Sequence, residues 1–302
     1  MPTTAREGTA SSWVRDARTV LEMIKVEHTV FALPFALLGM LLAAGGWPSW
    51  RTVLWIVVAM VGARSAAMAF NRLVDREIDA ANPRTRGRAL PAGLVTPGWV
   101  AGFTLASAAV LVLAAWRLNP LALALSPVAL LVILGYSYTK RFTWASHLVL
   151  GLALAGAPLG AWIAVRGGVA ATPFVLAGAV LSWVAGFDVL YALQDRDFDR
   201  RRGLSSIPAR FGVVGALWIS GALHLLTLAL LAALPGVYAA GEGGASLGGV
   251  YWLGWAGCAA LVAWQHWLVR PDDLSRLDAA FFSANGLLSI WLFAATAVDL
   301  LV

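Results

Sequence analysis

The chain has 302 residues, of which 60% are hydrophobic and only 13% are charged, and its net charge is +6. A soluble domain is about 45–50% apolar and about 25% charged, so this chain lacks the polar residues needed to cover a core in water. The composition excludes a soluble domain and predicts an integral membrane protein.

The first 28 residues differ from the rest, because charged side chains interrupt them throughout. They contain no apolar core of the kind found in a cleavable signal peptide. Trp13, Ala17, Val20, Leu21 and Ile24 recur at helical spacing, which predicts a helix lying in the membrane interface. We therefore expect an N-terminal segment over residues 1–28, followed by one transmembrane domain over residues 29–302.

Residues 29–302 contain nine long apolar stretches, and a transmembrane helix requires roughly 20 such residues. Proline, glycine or charged residues separate the stretches, and none alternates with the period of two expected of a membrane β-barrel. The predicted fold is therefore all-α, with nine transmembrane helices. They cover about residues 29–46, 52–72, 97–116, 119–138, 144–165, 172–193, 213–235, 247–269 and 279–301.

Basic residues are concentrated on one side of this predicted topology. With nine spans, the N-terminus shares a side with the loops after the second, fourth, sixth and eighth helices, and these segments hold 18 of the 22 Lys and Arg residues. The positive-inside rule places that side in the cytoplasm, so we expect a multi-pass protein of the inner (cytoplasmic) cell membrane. Nucleic acid is not an expected partner, because the arginines are dispersed among acids.

Acidic residues cluster in two short segments at the predicted cytoplasmic ends of the second and sixth helices. The first segment runs Asn71-x3-Asp75-x3-Asp79, and the second runs Tyr191-x3-Asp195-x3-Asp199, offset by 120 residues. A shared spacing at matching places in the helix order indicates an internal repeat. Two repeat halves would place the segments opposite each other across a pseudo-symmetry axis.

Each segment presents two carboxylates on one helix face, since residues four apart lie on the same side of a helix. Four carboxylates facing one cavity repel one another unless a cation lies between them. A few hard oxygen ligands suit Mg²⁺ bound together with substrate phosphates. Nearby arginines would supply phosphate donors; they are Arg76, Arg84, Arg86, Arg88, Arg196, Arg200, Arg201 and Arg202. The pattern predicts a magnesium-bound lipid diphosphate at the mouth of an apolar cavity.

Alternative interpretations stay open at this point. Clusters of acids and arginines at helix ends are often solvated loops with local ion pairs, although two matching segments favour a site. Within the predicted spans, Arg64 lies seven residues before Asn71 and Asp188 lies seven residues before Asp195, and charge at such positions is expensive and usually functional. A buried structural ion pair between Arg64 and Asp188 is the alternative to a functional role for them.

The full motifs resemble those of the UbiA superfamily of membrane prenyltransferases. The first is Asn71-Arg-Leu-Val-Asp75-Arg-Glu-Ile-Asp79 with Asn82-Pro-Arg-Thr-Arg-Gly-Arg-Ala-Leu-Pro-Ala-Gly93, and the second is Asp188-Val-Leu-Tyr191-Ala-Leu-Gln-Asp195-Arg-Asp-Phe-Asp199 with Gly203-Leu-Ser-Ser-Ile-Pro-Ala-Arg-Phe-Gly212. Tyr136-Ser-Tyr-Thr-Lys140 fits the family's YxxxK element, and Ile24-Lys-Val-Glu-His28 with Leu33-Pro34-Phe35 is similar to the 4-hydroxybenzoate polyprenyltransferase branch. The resemblance spans about residues 20–300. It implies nine helices around a cavity open to lipid.

The resemblance also implies roles for individual residues. Mg²⁺ would be held by Asn71, Asp75, Asp79, Asp195 and Asp199, and the oxygens of a polyprenyl diphosphate by Arg76, Arg84, Arg88 and Lys140. Arg64 would bind the carboxylate of an aromatic hydroxy acid, with Tyr136 and Tyr191 as further substrate-binding residues. Asp188 would orient the acceptor hydroxyl or receive a proton. The implied reaction is Mg²⁺-dependent prenylation of 4-hydroxybenzoate in ubiquinone or menaquinone biosynthesis.

One position departs from the pattern of the family. Many relatives have Asp directly after the motif asparagine, whereas this chain has Arg72. With an arginine at that position, the motif resembles that of a branch of the family that prenylates 1,4-dihydroxy-6-naphthoate in an alternative menaquinone pathway. Both acceptors are aromatic acids with a hydroxyl group, so both stay open, with 4-hydroxybenzoate first.

A function of another class is a cation-coupled transporter, in which intramembrane carboxylates bind the coupling ion. The acids here cluster at one mouth beside many arginines, which suits a phosphate better than a transported cation. The four histidines show no metal-ligand spacing, so we interpret His28, His147, His224 and His266 as interfacial or packing residues.

Overall fold

The computed structural model describes Thr19, residues 29–241 and residues 246–302. Within these ranges the chain is all-α, as predicted, and nine long helices lie where the apolar stretches place them. In chain order the helices are α1 (Thr29–Ala44), α2 (Trp50–Val74), α3 (Arg76–Ala81), α4 (Pro97–Leu118), α5 (Pro120–Thr139), α6 (Ser146–Arg166), α7 (Ala171–Tyr191), α8 (Arg196–Arg202), α9 (Ile207–Gly241), α10 (Gly249–Leu268) and α11 (Leu277–Leu301). Only α3 and α8 are short.

Seven helices are long and apolar enough to cross a membrane, namely α2, α4, α5, α6, α7, α9 and α11. The apolar part of α1 that is described, Ala32–Ala44, is shorter, and α10 is not among the seven. The prediction of a multi-pass membrane protein is confirmed, whereas the count of nine crossings stays a prediction. The interfacial helix expected within residues 1–28 lies outside the described residues, apart from Thr19.

The backbone carries the internal repeat that the spacing of the acids predicted. Helix α2 ends at its C-cap Asp75 and the short helix α3 begins at Arg76. In the second half, α7 continues through a 3-10 turn to Asp195, and the short helix α8 begins at Arg196. Each acidic motif therefore spans a break between a long and a short helix.

Helix α7 lies at the centre of the bundle, packed between α6 and α9. Its buried face includes Trp183 and Phe187, whose rings contact each other edge to face with centroids 5.0 Å apart. The indole N–H of Trp183 donates to Asn285 Oδ1 on α11 at 2.9 Å. Burying both polar groups as a pair avoids the cost of an unsatisfied donor inside the membrane.

Helix α9 differs from the predicted range of 213–235 at both ends. It begins at Ile207, but Gly212 has a positive φ of 71° and interrupts it, so the regular part starts close to the predicted position. It also continues through Pro235 to Gly241. Proline leaves the carbonyl four residues earlier without its helical donor, and here the Tyr251 hydroxyl donates to that carbonyl, Leu231 O, at 2.5 Å.

Close packing between α6 and α7 depends on a residue without a side chain. A Cβ at Gly151 would overlap the backbone carbonyl of Leu181. Small residues of this kind allow membrane helices to approach closely. Residues of both α6 and α7 line one cavity, so this contact fixes part of its wall.

We predict that Gly151→Ala lowers the stability of the protein in detergent by about 1–3 kcal/mol, because the backbone of α7 has to move. The matched control is Gly156→Ala on the same helix, where an added Cβ meets no atom within 4 Å. Thermal unfolding followed by circular dichroism compares the two. Equal unfolding midpoints for both variants would contradict the predicted close approach.

Candidate functional site

The two acidic motifs face each other at one end of the bundle. The Asn82 amide after the first motif donates to Asp195 Oδ1 in the second at 2.9 Å. Arg84 binds the same carboxylate with two nitrogens, Nε to Oδ1 at 3.0 Å and Nη2 to Oδ2. The two acidic motifs therefore meet, as the repeat predicted. The Asn82 amide and the Arg84 guanidinium connect them.

Burial of Arg84 would by itself lower its pKa, but the hydrogen bond to Asp195 and the charge of that carboxylate outweigh burial. The net effect raises the pKa of Arg84 above its ordinary value. Arg84 is therefore a permanent cation at the junction of the two motifs, with its charge placed between them.

Two cations surround Asp75, whose side chain is buried. Lys140 Nζ lies 2.6 Å from Asp75 Oδ2, and Arg141 Nη2 lies 3.0 Å from Oδ1. Asn71 Nδ2 donates to Asp75 Oδ2 at 3.2 Å and reaches Ser137 Oγ at 3.4 Å. Residues from the end of α5 and the loop after it therefore hold the first aspartate.

Asp79 is also buried and lies between two arginines. Arg88 Nη1 donates to Asp79 Oδ1 at 2.7 Å, and Arg72 Nη1 lies 3.9 Å from Oδ2. Among the described residues, Asp79 Oδ2 has no hydrogen-bond partner. A buried carboxylate oxygen without a donor is expensive, so this atom marks a position where a cation or a donor from a ligand would be stabilised.

Two predicted site residues are placed less centrally. Asp199 is partly buried in α8. Arg76 points outward, with a side chain that is 47% exposed and pairs with Glu77 at 3.9 Å. Over residues 29–241 and 246–302, no three carboxylate, imidazole or thiol side chains lie close enough to share one metal ion, so cations rather than other acids lie beside Asp75, Asp79 and Asp195.

A cavity of about 680 Å³ runs between α2, α4, α5, α6 and α7. Its lining follows α5 from Ala122 to Tyr136, a helical distance of about 21 Å at 1.5 Å per residue. The lining is almost entirely apolar, and three of its few polar side chains, Arg64, Tyr136 and Asp188, lie toward the motif end. The shape and polarity suit a long hydrocarbon chain with a charged head.

Aromatic rings line the same end of the cavity. Phe187 and Phe281 are lining residues, and the ring of Tyr191 stacks on Phe281 with centroids 4.2 Å apart. The Arg84 guanidinium lies 5.4 Å from the Tyr191 ring centroid, and its Nη1 is 3.4 Å from the hydroxyl. The aromatic wall therefore touches the residues that bridge the two motifs.

Asp188 contacts a histidine rather than forming the ion pair with Arg64 that we considered from the sequence. His147 Nδ1 lies 2.6 Å from Asp188 Oδ2, and His147 is only 4% exposed. Our interpretation of His147 as a packing or interfacial residue was therefore incomplete. Arg64 lines the cavity with Asp188.

Sequence reasoning also did not assign Arg141, Asn82 or the two phenylalanines to the site. Arg141 directly follows the YxxxK element, and Asn82 is the first residue of the loop in the first motif. Their proximity to the motifs could have identified both as site residues. Phe187 and Phe281 carried no such signal, because apolar residues on an apolar helix give no indication of which face meets the cavity.

Comparison with known proteins identifies the family that the chain resembles. The sequence profile of the UbiA prenyltransferase family matches residues 32–293. The 4-hydroxybenzoate octaprenyltransferases of Aeromonas salmonicida (strain A449) and Vibrio cholerae serotype O1 (Classical Ogawa 395) are 36% and 32% identical to this chain over 248 and 290 residues. These alignments cover 81% and 91% of this chain and 82% and 98% of the relatives.

Solved structures show the same fold. The apo structure of a UbiA homologue from Aeropyrum pernix K1 is 34% identical, with a TM-score of 0.81 over 91% of this chain and 98% of that one. A UbiA homologue from Archaeoglobus fulgidus bound to DMAPP and Mg²⁺ is 18% identical, with a TM-score of 0.70 over 94% and 99% of the two chains. The helix arrangement is therefore shared at low sequence identity.

We predict that Asn82→Ala destabilises the contact between the motifs by about 1–2 kcal/mol, because it removes a hydrogen bond to a charged group. Asn82→Asp is expected to cost more, since it places a second carboxylate 2.9 Å from the Asp195 oxygen. Glu77→Ala, at a side chain that is 90% exposed, is the control and should leave stability unchanged. Thermal unfolding ranks the three variants, and an order other than this one would contradict the bridge.

Proposed function

This chain belongs to the UbiA prenyltransferase family, and from that premise we propose that it transfers a polyprenyl group from polyprenyl diphosphate to the ring of 4-hydroxybenzoate in quinone biosynthesis. The observation that carries the proposal is the apolar cavity with its motif end lined by cations and carboxylates. A lipid diphosphate matches it, since the tail requires the apolar walls and the diphosphate requires the cations.

By its chemistry the donor set suits a divalent ion, which it would hold once Asp75, Asp79 and Asp195 leave the cations that they now contact. Asp75, Asp79, Asp195 and Asp199, with Asn71, supply hard oxygen ligands of the type that Mg²⁺ uses with phosphates, and Asp79 Oδ2 is a buried oxygen without a hydrogen-bond partner among the described residues. When bound, Mg²⁺ would neutralise part of the negative charge of the diphosphate leaving group. The relative from Archaeoglobus fulgidus was solved with this ion and DMAPP, which supports the assignment.

The basic residues would bind the diphosphate by exchanging partners. Lys140, Arg84 and Arg88 now pair with Asp75, Asp195 and Asp79. When a diphosphate binds, Lys140, Arg84 and Arg88 would contact its phosphate oxygens in place of these aspartates, which would then be available to hold the metal ion. Their donors would then stabilise the charge that grows on the diphosphate as the allylic C–O bond breaks. Arg76, which points outward, would join only by rotating inward.

The cavity residues would control the fate of the allylic cation. Apolar walls exclude water that would capture it, and Tyr191, Phe187 and Phe281 present rings that stabilise positive charge. A ring carbon of the acceptor supplies the electron pair for the new C–C bond, and loss of its proton restores aromaticity. Arg64 would hold the acceptor carboxylate, and Asp188 would accept a hydrogen bond from the acceptor hydroxyl or its proton, with Tyr136 beside them.

The membrane and its orientation follow from the distribution of charge. In the predicted topology, the N-terminal segment and four loops lie on one side and together contain 18 of the 22 Lys and Arg residues. Those loops include Arg84, Lys140 and Arg141. By the positive-inside rule that side faces the cytoplasm. We therefore place the protein in the inner membrane, where a water-soluble aromatic acid reaches the site from the cytoplasm and the prenyl tail stays in the bilayer.

The position of Arg72 keeps 1,4-dihydroxy-6-naphthoate as a second candidate acceptor. Arg72 is buried and lies 3.9 Å from Asp79, so it adds a cation at the first motif where many relatives have an acid. That change alters the charge at the first motif without removing an aspartate of the proposed metal set. Relatives named 4-hydroxybenzoate octaprenyltransferase support the first candidate.

We predict that Asp79→Asn reduces prenyl transfer at least about 100-fold and weakens Mg²⁺ dependence, because it removes a charge at the proposed metal site. The matched control is Glu77→Gln, which neutralises an exposed acid two residues away and should retain wild-type activity. Product formation is measured at a series of Mg²⁺ concentrations. Equal activity of the two variants would contradict the assignment of Asp79.

The acceptor is identified by direct competition. Purified protein in detergent receives Mg²⁺, a polyprenyl diphosphate and equal concentrations of 4-hydroxybenzoate and 1,4-dihydroxy-6-naphthoate, and chromatography with mass spectrometry separates the products. We expect prenylated 4-hydroxybenzoate to predominate. Predominant naphthoate product would move the protein to the second candidate, and absence of both products would reject the proposed function.

A further inference from the structure

A buried hydrogen-bond chain runs from the backbone of Ile207 through His147 to Asp188. Ile207 N–H donates to His147 Nε2 at 3.3 Å, and His147 Nδ1 lies 2.6 Å from Asp188 Oδ2. A backbone amide only donates, so Nε2 is the nitrogen without a proton. His147 is therefore the neutral tautomer with its proton on Nδ1, which donates to the Asp188 carboxylate.

The same chain links three helices around the acceptor end of the cavity. His147 is the second residue of α6, Asp188 is in α7, and Ile207 is the first residue of α9. The imidazole side chain is only 5% exposed, whereas the Asp188 carboxylate is 24% exposed and lines the cavity. The histidine therefore contacts the carboxylate on the side away from the cavity and does not itself line the cavity.

The partner of Asp188 differs in charge from the partners of the other aspartates. Asp75, Asp79 and Asp195 each pair with lysine or arginine, which are permanent cations. Asp188 is held by a neutral imidazole, which fixes the direction of the carboxylate without cancelling its charge. Because Oδ2 accepts from His147, Oδ1 is the oxygen left to accept from an acceptor hydroxyl.

We infer that His147 is a positioning residue that fixes the Asp188 carboxylate and aims it at the acceptor. The inference rests on the proposed function, because it assigns Asp188 to the aromatic acceptor. A charged and fixed carboxylate that accepts the hydroxyl hydrogen bond increases electron density on the ring, which is what attack on an allylic cation requires. The polyprenyl diphosphate, bound at the other charged groups, should not be affected.

The test compares three substitutions of His147 that separate its two hydrogen bonds. Asparagine puts an N–H close to the place of Nδ1 and keeps the bond to Asp188, glutamine reaches the place of Nε2 and keeps the bond to Ile207, and leucine keeps neither. We expect His147→Gln and His147→Leu to lower kcat/KM for the acceptor by about 10- to 100-fold, as for a lost bond to a charged group. His147→Asn should stay within about threefold of wild type, and the KM for polyprenyl diphosphate should change in none of them.

A double-mutant cycle with Asp188→Asn separates positioning from a structural role. If His147 acts through Asp188, adding His147→Leu to Asp188→Asn causes little further loss of acceptor kcat/KM, whereas two independent defects multiply. Unfolding midpoints of all variants in detergent show whether the leucine variant folds. If it does not, the asparagine and glutamine variants alone carry the comparison.

The outcomes distinguish this inference from the function on which it rests. A wild-type protein that prenylates neither acceptor rejects both. An active wild type whose glutamine and leucine variants keep full acceptor kcat/KM, or whose double mutant shows multiplied losses, overturns the role of His147 and leaves the proposed function intact. Loss confined to the glutamine and leucine variants, with non-multiplied losses in the cycle, supports the positioning role.

Discussion

Carboxylates at the boundary between an apolar helix bundle and water require partners close by, because an uncompensated buried charge costs several kcal/mol. Asp75 and Asp79 are both less than a tenth exposed, and each has a lysine or arginine within hydrogen-bond distance. The loops that follow α3 and α5 supply those cations. The need to balance these charges therefore brings together loops that are distant in sequence, and so shapes the mouth of the cavity.

The same balance would allow the proposed site to bind both a diphosphate and a metal ion. A carboxylate that already holds a lysine resembles, electrostatically, a carboxylate that holds a metal ion, and a lysine that already holds a carboxylate is oriented for a phosphate. Exchange of partners between Asp75 and Lys140 keeps every charge compensated before and after binding. A transporter for a simple cation has no use for this density of arginine, so the arrangement favours the diphosphate.

Much of the fold followed from sequence, because it depends on one-dimensional patterns. The apolar stretches located the nine long helices, and the repeated spacing of the aspartates identified the two motifs that meet in space. The predicted end of α9 was wrong by six residues, because Pro235 suggested that the helix stops there. The helix continues because the Tyr251 hydroxyl donates to the carbonyl that the proline leaves without a donor. That compensation comes from another helix, and no local pattern records it.

Side-chain partners across the bundle were harder to predict for a similar reason. Arg64 and Asp188 stood out because charge within a membrane span is rare and usually functional, and an ion pair between them was the alternative. The observed partner of Asp188 is His147, which begins another helix and has no spacing relative to the motif. Which of several polar residues meets a buried carboxylate depends on helix rotation, and an apolar helix with residues buried on all sides, such as α7, has no periodicity from which rotation can be read.

The internal repeat explains why the site has two chemically different ends. The position equivalent to Arg64 in the second half is Val184, and the position equivalent to Asp188 in the first half is Met68; all four line the cavity. The repeat therefore brings corresponding positions to one space, and substitution within each half then makes them different. The aspartate pairs stay matched because both halves contribute to one charged mouth. Arg64 and Asp188 break the symmetry, as the proposed binding of an acceptor with a carboxylate at one end and a hydroxyl at the other would require.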